Sequence, residues 1–219
     1  MKVLNLYAGV GGNRKLWTDC DVTAVELEPK IAAVYARQHP KDTVIVGDAH
    51  QYLLDNVDRF DFIWSSPPCQ THSRMMKATR HKRKRYVDMM LWQEILLLQH
   101  FFKGVWCVEN VVPFYTPLVP GVKVGRHMYW ANFDVGDYVE PSPPDFINLA
   151  NVAGKKRLQD YLGIHYEENI YYGDNHCPAQ ILRNCVHPNE GAAIFERARK
   201  ALATSRSGAR PGRPSLACL

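Results

Sequence analysis

Short apolar runs along the chain alternate with longer stretches whose apolar positions recur at helical spacing. Val3 to Leu6 is the first such run, and it leads into the glycine-rich turn Gly9-Val10-Gly11-Gly12, after which residues to Trp17 are compatible with a helix. Val22 to Val25 reads as a second strand closed by Glu26, and Pro29 to Gln38 as a helix with proline in its first turn, where the missing N–H costs nothing. Val44 to Val46 is a third strand, ending before Asp48, and Phe60 to Trp64 a fourth, ending at Ser65-Ser66-Pro67-Pro68. Val87 to Phe102 carries an apolar helical pattern, and Val105 to Val108 is a fifth strand ending at Glu109. Strands alternating with helices predict an α/β fold built on a doubly wound parallel sheet covered on both faces. Ligands of such sheets bind at the carboxyl ends of the strands.

After Pro113 the alternation fades. Val124 to Phe133 is expected to give a strand or two, and residues 134 to 178, broken by Pro141, Pro143 and Pro144, read as a small inserted segment. Gln180 to Val186 is expected to return to the sheet, and Glu190 to Leu202 to form a helix. From Ser205 the tail SRSGARPGRPSLACL is expected to be disordered, and it is assigned no chemistry. The resulting division is a catalytic core over 1–133, the inserted segment over 134–178, a return to the core over 179–204 and a tail over 205–219.

The predicted strand ends carry, in order, a glycine turn, Glu26, Asp48, Cys69 and Glu109. Any one polar residue at a strand end can simply cap the following helix; five at one edge point to a site. The turn NLYAGVGG lacks both the GxGxxG spacing of a dinucleotide fingerprint and the lysine of a phosphate loop. Its glycines allow a close approach of backbone to ligand. Glu26 could accept hydrogen bonds from ribose hydroxyls and Asp48 from an adenine amino group. Two acids without a phosphate-binding lysine suit a positively charged nucleoside, S-adenosylmethionine, better than NAD or ATP. Cys69 follows two prolines that stiffen its backbone, and it opens the basic stretch PPCQTHSRMMKATRHKRKR, whose cations are expected to lower its pKa. Glu109 heads ENVVP, where burial would raise the carboxyl pKa and make it a proton donor. A thiolate beside a carboxylic acid can add to a conjugated pyrimidine ring.

Charge sharpens this picture because it is local. The 219-residue chain has a formal charge of +5, but Arg74, Lys77, Arg80, Lys82, Arg83, Lys84 and Arg85 give +7 within twelve residues that contain no acid, leaving the remainder at −2. Such a run is either a solvated face or a polyanion-binding surface. The six cysteines form no CxxC pair, no apolar run is long enough to span a bilayer, and the opening MKVLNLYAG has no long apolar region of the secretory kind. These features predict a cytoplasmic, reduced protein without metal or membrane role. A monomer is expected.

In order, NLYAGVGG, VELEP, GDA, SSPPCQTHS and VENVVP resemble the motifs of the DNA cytosine carbon-5 methyltransferases. The resemblance covers roughly residues 1 to 133 and 178 to 197, and its most specific part is the PCQ and ENV pair. It implies an S-adenosylmethionine-dependent, Rossmann-like methyltransferase fold with the inserted segment recognising the target. It further implies a cofactor site formed by Leu6, Tyr7, Ala8, Gly9, Gly11, Gly12, Glu26, Leu27, Asp48, Ala49, Pro67 and Asn184. Cys69 would attack carbon 6 of a flipped cytosine, Glu109 would contact ring nitrogen 3, and Arg126 would assist. Gln70, Ser73, Arg74, Lys77, Arg80, Lys82, Arg83, Lys84 and Arg85 would contact double-stranded DNA, the basic stretch corresponding to a loop that closes over the extruded base. The setting implied is the nucleoid of a bacterial or phage-infected cell, with a restriction-modification role.

The chain departs from the family pattern in three places. GRHMYWANF offers Arg126 and then His127 where the family has an arginine pair, so the second cation is weakened or pH-dependent. Arg183 replaces the glycine expected before Asn184; it either enters the cofactor pocket, favouring a carboxylated analogue, or points to phosphate or solvent. The 134–178 segment is short for target recognition and offers Asn148, Lys155, Lys156, Arg157 and Tyr172 for base or phosphate contacts. An RNA (tRNA) cytosine methyltransferase would use the same thiol and acid. A catalytically silent DNA-binding homologue would lack Cys69 or Glu109, and an amino-group methyltransferase would need Asn or Asp before Pro-Pro-aromatic where this chain has Ser-Pro-Pro-Cys.

Overall fold

The five apolar runs become parallel strands β1 (Lys2–Leu6), β2 (Asp21–Glu26), β3 (Thr43–Val46), β4 (Phe62–Ser65) and β5 (Val105–Val111) in a computed structural model describing residues 1–74, 86–146, 152–172 and 177–207. A hairpin of β6 (Val122–Val124) and β7 (His127–Ala131) then adds antiparallel to β5, giving a seven-stranded mixed sheet in the order β3-β2-β1-β4-β5-β7-β6. Strand order reverses between β1 and β4, so the crevice predicted for such sheets opens beyond the ends of those strands.

Alternation along the strands assigns the two faces. Val3, Phe62, Trp64, Cys107 and Tyr129 face a cluster completed by Ile194, Phe195, Ala198 and Leu202 of the C-terminal helix (Pro188–Arg206). Leu4, Leu6, Ile63, Val108 and Trp130 face Leu53 of the helix Ala49–Asn56 and Leu91, Trp92, Ile95 and Leu98 of the helix Met90–Phe101. Burying each large apolar side chain contributes roughly 1.5–3 kcal/mol, and strands buried on both faces explain the unbroken apolar runs. In chain order the helices are α1 (Pro29–Gln38), α2 (Ala49–Asn56), α3 (Met90–Phe101), α4 (Val152–Leu162), α5 (Gln180–Arg183) and α6 (Pro188–Arg206).

Several local expectations are corrected. Residues 13–17, expected as a helix, form turns instead, because tertiary partners claim them. Asn13 Nδ2 donates to Asn5 Oδ1 at 2.9 Å, Arg14 pairs with Asp42 at 2.8 Å, and the Trp17 ring stacks on Phe195 at 4.7 Å. Helix α2 was not expected, although Asp48 could have signalled it: the Asp48 carboxylate accepts from Gln51 N at 2.9 Å and caps the helix. Residues 180–186 contain no strand; they form α5 and a turn, with Ile181 and Leu182 buried against Val10 and α1. That same cluster takes in Leu158 and Leu162 of α4, with Ile164, Tyr166 and Ile170. Ser205 and Arg206, expected in a disordered tail, extend α6, where Arg206 pairs with Asp61 at 2.5 Å and Ser205 Oγ donates to Leu202 O at 2.8 Å. Residues 208–219 of that tail lie outside the described residues.

Candidate active site

A cavity of about 560 Å³ opens at the predicted sheet edge, within the range of about 300–1,000 Å³ usual for ligand sites. Its floor is the turn after β1. Tyr7, Gly9 and Gly11 take positive φ values of 55°, 55° and 83°, and the turn is fastened by Ala8 N to Val25 O at 3.0 Å and Gly9 N to Glu26 Oε2 at 2.9 Å. The glycines divide the work. Gly9 and Gly12 line the cavity, whereas Gly11 faces His39, which a Cβ would meet at 2.4 Å, so its role is packing rather than the expected ligand contact. Leu6, assigned to the same site, is fully buried in the apolar cluster under the sheet and does not line the cavity.

Along one wall stand Tyr7, Ala8, Glu26, Leu27, Asp48 and Ala49, all expected there, with Pro67 and Asn184 opposite. Glu26 is only 4% exposed. Its second oxygen accepts from Glu28 N at 3.0 Å, and burial raises its pKa against the pull of these backbone donors. Asp48 is exposed. The group this wall would hold is a nucleoside with hydroxyl and amino donors, and the carboxylates present fit it.

Cys69, Gln70, Glu109 and Arg126 line the same cavity. The segment after β4 that carries the thiol is tied to β5 by Asn110 Nδ2, which donates to Pro67 O at 2.9 Å, and the turn at Cys69 is closed by His72 N and Ser73 N, which each donate to Cys69 O at 3.0 Å. Ser73 forms an isolated bridge with Pro113, and Arg74 lines a neighbouring cavity beside Phe114 and Tyr115. Lys77, Arg80, Lys82, Arg83, Lys84 and Arg85 lie outside the described residues, as does Asn148.

Electrostatics at this end are set by burial. Desolvation pushes the Glu109 carboxyl up to about 7, with Ser66 and Arg126 opposing and Glu190 adding to the rise. The expectation for Cys69 is corrected: desolvation and then the Glu109 charge push its thiol up to about 11, and Arg126 is the cation opposing them. Among the described residues, cations do not outweigh the low-dielectric surroundings of this thiol. His127, expected as a weakened second cation, is held neutral; burial and the Arg126 charge drive its pKa well below the ordinary value, despite Glu109 and Glu190 at 3.7 Å on its two nitrogens.

Arg126, expected to assist the chemistry, ties two elements together. Its guanidinium donates to Arg183 O at 2.8 Å and Cys185 O at 2.6 Å and sits 4.5 Å over the Phe146 ring, strapping the hairpin to α5. Arg183 reaches Cys177 Sγ and Gln180 Oε1 at 3.3 Å while lining the cavity. Lys155, offered as a DNA contact, is buried and donates to the carbonyls of Glu167 and Glu168 at 3.1 and 2.8 Å, whereas Lys156 and Arg157 are exposed. Tyr172, also offered to DNA, instead lines the cavity, its hydroxyl 3.4 Å from where a Gly9 Cβ would stand. Asn110 and Ser66 were not singled out, although each neighbours a motif residue; nothing in the sequence pointed to Glu190. Among the described residues no cluster could hold a metal ion, and no helix is long and apolar enough to cross a membrane.

The family model described as C-5 cytosine-specific DNA methylase matches residues 1–117. No curated protein matches the chain by sequence. Among solved structures, a methyltransferase from Entamoeba histolytica is 9% identical with a TM-score of 0.47, covering 94% of this chain and 98% of that one. DNMT2 from Spodoptera frugiperda is 24% identical with a TM-score of 0.37, covering 50% of this chain and 35% of that one. A SAM-dependent methyltransferase from Agrobacterium tumefaciens is 15% identical with a TM-score of 0.35, covering 52% and 40%.

Proposed function

The chain belongs to the C-5 cytosine-specific DNA methylase family, and from that premise we propose that it methylates carbon 5 of a cytosine in duplex DNA, with S-adenosylmethionine as donor and Cys69 as transient nucleophile. The observation that carries this reading is that Cys69 and Glu109, about forty positions apart, open into one cavity with Gly9, Glu26 and Asp48. Glu26 and Asp48 would hold the ribose and adenine of the cofactor, which supplies an electrophilic methyl group when bound.

The target cytosine must leave the duplex to enter such a cavity, at a cost of a few kcal/mol. Glu109, protonated at neutral pH to a large extent because burial raises its pKa to about 7, donates to ring nitrogen 3. That hydrogen bond withdraws electron density as the Cys69 sulfur bonds to carbon 6, and carbon 5 becomes the nucleophile that takes the methyl group. Loss of the carbon 5 proton then returns electrons to the ring and expels the thiolate. Arg126 is the positive charge felt by both Cys69 and Glu109, and it favours the thiolate form the first step needs. The basic stretch from Arg74 to Arg85, which follows the thiol in sequence, would supply phosphate affinity.

Incubation with S-adenosylmethionine and duplex DNA containing 5-fluorocytosine tests the reading, since fluorine at carbon 5 cannot leave as a proton and the adduct persists. A denaturant-stable protein–DNA species that disappears with Cys69→Ser is expected. No adduct with DNA but an adduct with a 5-fluorocytosine RNA would move the substrate to RNA; no adduct with either, from a chain that methylates, would reject the covalent route.

A further inference from the structure

Glu94 lies on α3 with no solvent exposure, on a face whose other buried residues are Leu91, Trp92, Ile95 and Leu98. A carboxylate there is costly unless donors surround it, and three do. Tyr7 Oη donates to Oε1 at 2.5 Å, His50 Nδ1 approaches the same oxygen at 3.0 Å, and Ser65 Oγ donates to Oε2 at 2.6 Å. Both side-chain oxygens are thereby engaged as acceptors, Oε1 by the Tyr7 hydroxyl and Oε2 by the Ser65 hydroxyl.

The three donors come from three separate elements around the cavity, of which Tyr7 itself lines it. Tyr7 belongs to the turn that floors the cofactor end; it holds φ 55° although it carries a side chain, a conformation that persists only where surroundings impose it. His50 follows the adenine-side Asp48 by two positions on α2, and Ser65 ends β4, four positions before Cys69. We infer that Glu94 is a positioning residue that holds the cofactor turn, the start of α2 and the strand leading to the nucleophile in one register. The inference rests on the reading of the cavity as a methyltransferase site. An apolar residue at this position would satisfy packing against Leu91, Ile95 and the sheet, but it would leave the Tyr7 and Ser65 hydroxyls without their acceptor. The Tyr7 ring would then be free to leave the wall it forms, and the backbone of the turn would relax from its left-handed conformation.

The test is S-adenosylmethionine affinity by calorimetry, without nucleic acid, for the full chain, Tyr7→Phe, Glu94→Gln and the double variant, alongside thermal unfolding. Glu94→Gln keeps the shape but replaces one acceptor oxygen with an amide nitrogen, and it is expected to weaken cofactor binding about tenfold, as is Tyr7→Phe, the scale of one lost buried hydrogen bond. The double variant is expected to be no weaker than Glu94→Gln alone, because both changes break the same link. A merely structural carboxylate would lower the unfolding temperature without this non-additivity. Ser65→Ala, which touches the other oxygen, is expected to lower turnover at saturating cofactor while leaving affinity near that of the unaltered chain. If Glu94→Gln does not fold, Tyr7→Phe and Ser65→Ala still carry the split between affinity and turnover. Binding by the unaltered chain together with unchanged affinity in Tyr7→Phe and Glu94→Gln, or simple additivity in the double variant, overturns the inference. Failure of the unaltered chain to bind S-adenosylmethionine overturns the methyltransferase reading itself, and this inference with it.

Discussion

The two ends of the cavity surround their acids with different partners. At the proposed cofactor end Asp48 is exposed and caps α2, and Glu26, whose pKa burial raises, accepts from two backbone N–H groups at 2.9 and 3.0 Å that oppose the rise. At the proposed pyrimidine end Glu109 is 6% exposed, its nearest imidazole is held neutral, and its pKa rises to about 7. One end sets its carboxylates as acceptors from backbone N–H groups. The other keeps a carboxyl group poised to be a donor itself, and the same burial holds the Cys69 thiol near 11. Identical side-chain chemistry is thus turned to two tasks by desolvation.

The largest expected effect separates the ends altogether. Cys69→Ser is expected to lower methylation at least about a thousandfold, the scale of removing a nucleophile, while cofactor affinity by calorimetry stays within about twofold. Comparable losses of both would mean that the two ends are not separate sites.

Glu109→Gln is expected to cost about 10²–10⁴ in turnover, the usual worth of a positioned acid. It should also stabilise the fold. A rise from 4.5 to about 7 corresponds to about 3 kcal/mol of penalty on the ionised form; because the folded pKa is the higher one, that stability is present below pH 4.5 and lost as pH rises through 7. Urea unfolding at pH 8 is expected to show the variant as the more stable protein, and at pH 4 the difference should vanish.

The pH profile of kcat/KM sharpens the same point. Below pH 7 Glu109 is protonated and the rate is limited by the Cys69 thiolate, so it is expected to rise about tenfold per pH unit. Above 7 further thiolate is offset by loss of the Glu109 proton, and the profile flattens. Glu109→Gln is expected to remove the bend, with the lower rate still climbing at pH 9; a bend that survives would assign it to another group.

The smallest effect tests the solvated end. Asp48→Ala is expected to cost about 1 kcal/mol of stability through loss of the cap, whereas Asp48→Asn, an equally good cap, should leave unfolding unchanged and still weaken cofactor binding severalfold. Equal binding by the Asn variant would reduce Asp48 to a helix cap.

Much of this was legible because parallel strands buried on both faces must be continuous apolar runs, and their ends must carry whatever chemistry the crevice has. The glycine turn, Glu26, Asp48, Cys69 and Glu109 were found by that logic. The helix expected over residues 13–17 was not formed because Asn5, Asp42 and Phe195 bind those residues. The strand expected over 180–186 became α5 because its apolar residues are taken by Val10 and α1. Lys155 and Tyr172 carry no local mark of their destinations, a pair of carbonyls and the cavity lining.

What the chain alone determined, then, was which residue types stand at the strand ends, since apolar periodicity and turn chemistry are local properties. Only the tertiary structure decided their ionisation. Whether Cys69 is a thiolate or a thiol, whether His127 is a cation, and whether Glu94 is an isolated polar group or is bonded to three elements all depend on how much water and which partners the fold leaves around each group. A pKa belongs to an environment, and environments are assembled from residues that no window of sequence contains.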